Sequence, residues 1–453
     1  MEKSDPEKGS GKMGLWAAVS MAVGTMIGAS IFSIFGVGAQ IAKQDLPEAF
    51  LVSGLFAILV AYSYAKLGKH YVSNAGPIAF IMKGMGDTLI TGALSVLMWF
   101  TYVVSIAMFS KGFAGYFLPL FHLPTSTTAV SITEIIVIAF FMVLNFFGSK
   151  AVGKTEFLIV LIKVGILGVF IALGIVYIKP EYIKPSFDAS HASGLLHASV
   201  IFFLSYMGFG LITNASENIR NASRNVPRAI YISIGIVMLI YLLVAVVAVG
   251  NLSIPELMKA KENSLAIAAK PFLGNAGFLL ISIGAVFSIS SALNASLYGG
   301  ANIAYSLAKD GELPEFFERK TWFKSVEGLY ITAGLSILIA LLFTMNGIAS
   351  MTSTVFTVIY IFVIISHFRL RKKVGGNPAF LIFNIAVMIV ILALLLYFQF
   401  KDQKMAIVGL LIVFVGAIMM EYGYRYIKNR SFTFVGKLKK VRKKETNNHS
   451  ENH

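Results

Sequence analysis

The sequence predicts an all-α membrane protein of twelve transmembrane helices, arranged as two inverted five-helix repeats followed by two peripheral helices. Three observations carry that expectation. The 453 residues are 57% hydrophobic and 13% charged, with mean hydropathy +0.77, which leaves too little polar surface for a water-soluble globule of this size. Apolar runs of about 20 residues, the length that crosses about 30 Å of hydrocarbon, recur along nearly the whole chain. Glycines interrupt the first and the sixth of these runs, the same place in two successive sets of five.

The first 13 residues are polar and charged, and the apolar run behind them is too long for a cleavable signal, so it is expected to stay in the mature protein. The spans are expected at 14–42, 48–67, 87–117, 132–148, 155–177, 195–218, 227–250, 276–307, 329–345, 348–367, 379–400 and 405–427. With the N-terminus inside and the spans alternating, the inner tails and loops carry most of the 38 Lys and Arg. Both termini are therefore expected in the cytoplasm, and the protein in the cytoplasmic (inner) membrane. The resulting units are a tail at 1–13, a first repeat at 14–178, a second repeat at 179–367, peripheral spans at 368–427 and a basic, disordered tail at 428–453.

The net charge of +16 does not argue for nucleic acid, because the charges fall between apolar runs and not along one face. The clusters at Arg369, Arg371, Lys372 and Lys373, and from Arg425 to Lys444, read as topogenic charge that also attracts anionic lipid. Without cysteine there is no disulfide or thiolate metal site, and the two histidines of the final ETNNHSENH are too few for a metal. His70, His122, His191, His197 and His367 lie in loops or near span ends, as interfacial polar residues do.

Residues 148–155 read GSKAVGKT and fit the phosphate-cradling pattern G-x-x-x-x-G-K-S/T. That pattern works only between a buried strand and a helix whose N-terminus faces water, with a Mg-organising acid nearby. Here it falls in a short inner turn, so Lys150 and Lys154 are read as membrane anchors and no nucleotide or other cofactor is expected. Lys163 is different. Seven residues past Glu156, it lies about 10 Å up a helix, farther than its stem can fully snorkel. A lysine at that depth normally faces the bundle interior or a watery path. Gly165, Gly168 and Ala172 nearby offer small surfaces on which neighbouring helices are expected to grip this span.

Span one reads AVGTMIGASIFSIFGVG and is interrupted at Gly24, Gly28, Gly36 and Gly38; span six reads IFFLSYMGFGLITNASEN, with Ser205, Gly208 and Gly210. Broken helices expose N–H groups that bind a carboxylate and C=O groups that bind an ammonium, and a zwitterion needs both. Span eight adds Ser288, Ser290, Ser291, Asn294 and Ser296, hydroxyl and amide groups that either tie helices together or line a site.

Three motifs resemble one family. Residues 19–32, VSMAVGTMIGASIF, look like the first helix of the amino acid, polyamine and organocation transporter superfamily. Glu217-Asn218-Ile219-Arg220 through Arg224-Asn225-Val226-Pro227-Arg228-Ala229 resembles its segment after the sixth helix, and residues 306–314, SLAKDGELP, its loop before the ninth. The likeness runs from about Leu15 to Ile427 and is strongest toward proton-coupled amino-acid transporters. It implies the LeuT-type fold, an amino-acid substrate and a proton as coupling ion. It also implies that the carboxylate meets N–H groups around Gly28, Ala29 and Ser30. The ammonium would meet carbonyls near Thr25 or Met26 and near Phe203, Leu204 and Tyr206, with Ser205 and Gly208 in the same break. Lys163 would reach Gly24 and Ser288, where sodium-coupled relatives hold an ion.

The chain departs from the family at Gly28-Ala29-Ser30, often Gly-Ser-Gly, at Asn221-Ala222 for Asn-Pro, and at Gly210, where an acid is frequent. With no charge in either break, small or apolar neutral amino acids fit best. Desolvation disfavours a charged ammonium, so a buried Lys163 is expected to act as a protonation switch. Sodium-driven symport, exchange, and a non-transporting amino-acid sensor are the alternatives. No paired acid and base or nucleophile with a histidine partner marks an enzyme.

Overall fold

The computed structural model describes residues 13–146, 152–183, 189–309, 313, 315–319 and 327–427. The turn at 147–151 that is expected on the inner side, with Lys150, lies outside them, as do the tails 1–12 and 428–453 and most of the loop 310–314. Every regular element among the described residues is helical, and ten helical stretches are long and apolar enough to cross a membrane. The chain is a multi-pass membrane protein.

The helices run in this order: α1 Leu15–Ala29, α2 Phe35–Ala42, α3 Leu46–His70, α4 Gly76–Met85, α5 Leu89–Leu120, α6 Thr127–Phe146, α7 Val152–Gly174, α8 Ala189–Phe202, α9 Phe209–Asn214 and α10 Ala222–Asn251. Then come α11 Ile254–Lys259, α12 Ser264–Ala268, α13 Lys270–Lys309, α14 Glu327–Leu342, α15 Met345–Val374, α16 Pro378–Asp402 and α17 Lys404–Ile427. Two apolar helices, α1 and α14, are shorter than a full crossing. The first is short because the chain turns at 30–34 before continuing as α2. Periodicity gave no warning of α4, α11 and α12, whose short, mixed sequences carry no 20-residue apolar run. Inside α13 the chain kinks at Gly274, φ 60°, a left-handed value that a side chain resists.

Burial separates the helices into a core and a rim. Along α5 most side chains are buried, whereas α6, α16 and α17 turn residues such as Phe140, Phe400 and Met419 outward as a lipid-facing face. On α7 the packed stripe is Val160, Lys163, Leu167 and Phe170, spaced three or four residues apart along one side. Gly165 and Gly168 lie off that stripe, and a Cβ at either would meet nothing within 4 Å. The expectation that this small surface grips a neighbour is therefore wrong: the close approaches along α7 are made at Gly24 of α1 against Val160, at Gly284 of α13 against Ile166 and at Gly174 against Val247.

Candidate functional site: two helix breaks around a buried lysine

The two interrupted spans break where an apolar helix gives way to irregular backbone. After Ala29 the chain leaves α1 through a non-helical Ser30, φ −129° and ψ −58°, and the turn is held by Ile34 N–H donating to Ser30 O at 2.9 Å. In span six, α8 passes into a 3-10 turn, Phe203–Tyr206, before α9. Helix ends leave carbonyls without intrahelical donors, and distant hydroxyls supply the hydrogen bonds. Ser53 donates to Ser199 O at 2.8 Å and Ser353 to Val200 O at 2.6 Å, both near the end of α8. Tyr206 donates its hydroxyl to Phe50 O at 2.8 Å. Tyr241 on α10 places its hydroxyl 2.5 Å from Met26 O and 3.4 Å from Ser205 O.

Glycine brings the two breaks together. A Cβ on Gly208 would stand 2.6 Å from Met26 Cγ and 2.9 Å from Ala22 O, so only a bare backbone lets the span-six break lie against α1. One helix face round, Gly24 receives the side chain of Val160, and α7 packs there. At Gly28 three groups converge: Lys163 Nζ and Ser288 O each lie 3.1 Å from the point a Cβ would occupy, with Ala292 Cβ at 3.2 Å. Lys163 is 3% exposed. Its ammonium position is at the last turn of α1, the negative pole of that helix, where a cation is favoured. Ser288 is also fully buried.

On the other side of α1 lies a cavity of about 90 Å³, where one water needs about 10–15 Å³. Of the sequence-predicted residues, Thr25, Met26, Leu204, Ser205 and Gly208 line it. Ser30, Phe203 and Tyr206 are buried outside that lining, and Gly28 faces Lys163 instead. Of Ala29 only the backbone is described, at the end of α1. Sequence reading missed Tyr102 and Ser105 on α5, Asn214 on α9 and Tyr360 on α15; Ser296 on α13 it noted only as one hydroxyl among several. Among the described residues no charged side chain lines the cavity. Its polar atoms include the pair Asn214 Nδ2 and Tyr102 Oη, 3.3 Å apart. The missed groups share one signal, a hydroxyl or amide within an expected span, which also marks Ser53 and Tyr241.

Below the breaks, the loop after α3 is knotted to the chain leaving α9. Asn74 and Glu217 exchange three hydrogen bonds of 3.1–3.2 Å, and Ser73 N–H donates to Ser216 at 2.9 Å. Met13, entering α1, pairs with Ile219 in an isolated bridge. The entrance to span one and the exit of span six are thus joined by main-chain hydrogen bonds.

Among the described residues no group of histidine, aspartate or glutamate is placed to hold a metal. The sequence profile of the amino acid permease family matches residues 13–420. An uncharacterized protein of Methanocaldococcus jannaschii is 63% identical over 422 residues, covering 93% of this chain and 97% of its own. The inner membrane transport protein YbaT of Escherichia coli is 31% identical over 435 residues, 96% of this chain and 100% of its own. A branched-chain amino acid permease of Bacillus subtilis is 23% identical over 321 residues, 67% of this chain and 68% of its own.

Proposed function

The chain belongs to the amino acid permease family, a transporter and not an enzyme, and from that premise we propose that it carries small or apolar neutral amino acids across the cytoplasmic membrane by proton-coupled alternating access. The frame of this reading is the LeuT type: twelve spans, with α1 and α2 as one broken span, α8 and α9 as another, and both termini in the cytoplasm. The observation that carries it is Lys163, buried with its Nζ against Gly28 at the broken end of α1.

Two physical arguments support the coupling. The last-turn carbonyls of α1 have no helical donors, and an ammonium offers three N–H groups. Protonated Lys163 therefore tethers α7 to α1 beside α13, and loss of its proton releases that tether. A lysine inside a membrane span normally faces the bundle interior and marks a proton or ion path. The substrate's own charges then fall to the breaks, its ammonium to carbonyls near Met26 and Ser205 and its carboxylate to N–H groups around Ser30. A cavity without a charged side chain favours a neutral substrate side chain.

Uptake of a neutral amino-acid panel into proteoliposomes, under separately imposed proton and sodium gradients, tests the reading. An inward proton gradient should drive accumulation with no sodium requirement, and Lys163→Gln or Lys163→Ala should abolish that accumulation. Sodium dependence at clamped pH would replace proton coupling with a sodium-driven mechanism. Binding without counterflow of labelled substrate would make the protein a sensor.

A further inference from the structure

One side chain touches both breaks. Tyr241 is buried on α10, its hydroxyl 2.5 Å from Met26 O in the last turn of α1 and 3.4 Å from Ser205 O in the 3-10 turn of span six. The phenol is held at its ring as well, tilted against Phe50 at 5.1 Å and edge-on to Tyr206 at 5.5 Å. A phenol has one proton to donate, and the shorter contact gives it to Met26. Ser205 O at 3.4 Å lies beyond a good hydrogen bond, so its acceptor capacity stays open. Both Met26 and Ser205 line the cavity.

We propose that Tyr241 is a positioning residue for the substrate's ammonium. It occupies Met26 O, holds the two breaks at one separation and leaves Ser205 O as the acceptor that receives the ammonium. This rests on the transport reading above and assigns which of its two carbonyl sets takes the charge. The residue lies on span seven, outside both broken helices, so neither break can shift against the other without disturbing this hydroxyl.

The test compares wild type with Tyr241→Phe in proteoliposomes, using alanine and its des-amino analogue propionate as probes. The KM for alanine should rise about tenfold, the scale of a hydrogen bond to a charged group, while kcat changes by less than about twofold. The decisive quantity is the propionate Ki divided by the alanine Ki, which isolates the ammonium's contribution. It should fall about tenfold in Tyr241→Phe and by less in Tyr241→Gln, which keeps an N–H donor. A ratio unchanged in both variants makes Tyr241 a packing residue and overturns the proposal. A ratio that rises overturns it too, because the hydroxyl would then merely compete for Met26. If Tyr241→Phe does not survive purification, the Gln variant and uptake into native membrane vesicles carry the same ratio. A wild-type protein that moves none of the neutral panel sinks the transport reading itself, an outcome separate from any change in the ratio.

Discussion

The close approaches in the site are set by single atoms. Gly208 can lie against α1 only because nothing projects from its Cα toward Ala22 O, a main-chain atom that cannot move aside cheaply. Gly208→Ala should therefore force the two breaks apart and lower transport by about tenfold or more, consistent with an overpacking cost of about 1–3 kcal/mol. Gly165→Ala, one helix away, places its methyl where nothing lies within 4 Å and relieves a helical glycine, so its transport should match wild type and its melting temperature should not fall. Equal losses in the two variants, measured as initial uptake rates, would remove the argument from close approach. Both glycines look alike in sequence. Only the neighbour distinguishes them.

At the scale of elements, the last described helix is fastened by charge as well as by packing. Arg425, fully buried on α17, pairs with Glu421 one turn earlier and with Asp87 at the head of α5. Glu421 in turn fills the space above Gly92 of α5. Removing one partner of a buried pair strands the other, at a cost of about 3–5 kcal/mol. Arg425→Met should thus lower the melting temperature clearly, because it takes the guanidinium away from buried Glu421, while Asp87, 44% exposed, turns to water. The double variant Arg425→Met, Glu421→Leu should recover most of the loss, because no buried charge remains. An unchanged melting temperature in the single variant would show that the pair holds nothing. In sequence Arg425 reads as part of the basic tail; Glu421 four positions earlier suggests only a helix-surface pair, and Asp87, which fixes the tie to α5, lies more than 300 positions away.

For the molecule as a whole, alternating access requires that the cavity see one side of the membrane at a time. The chain has no cysteine, so a single Ser296→Cys, in the cavity wall on α13, gives a label with no background. A membrane-impermeant thiol reagent should modify it, and a transported amino acid should change the rate at a fixed pH. A rate that no amino acid alters would detach this cavity from the transport cycle. The knot joining Met13, Ser73, Asn74 and residues 216–220 ties the entrance of α1 to the exit of α9, so these ends are expected to move together in such a cycle.

The sequence alone determined the membrane setting, the helical class, the two interrupted spans and the interest of Lys163. Each of these follows from composition, run length or a residue whose cost in hydrocarbon is high wherever its neighbours lie. What only the tertiary structure decided is which groups meet. It set the span-one break after Ala29, turned Gly165 and Gly168 outward, aimed Lys163 at Gly28, and brought Tyr241, Ser53 and Ser353 to carbonyls 146 to 215 positions away. A hydroxyl in an apolar run has many carbonyls it could satisfy. The choice among them is made by how whole helices pack, and that is not written in any one segment.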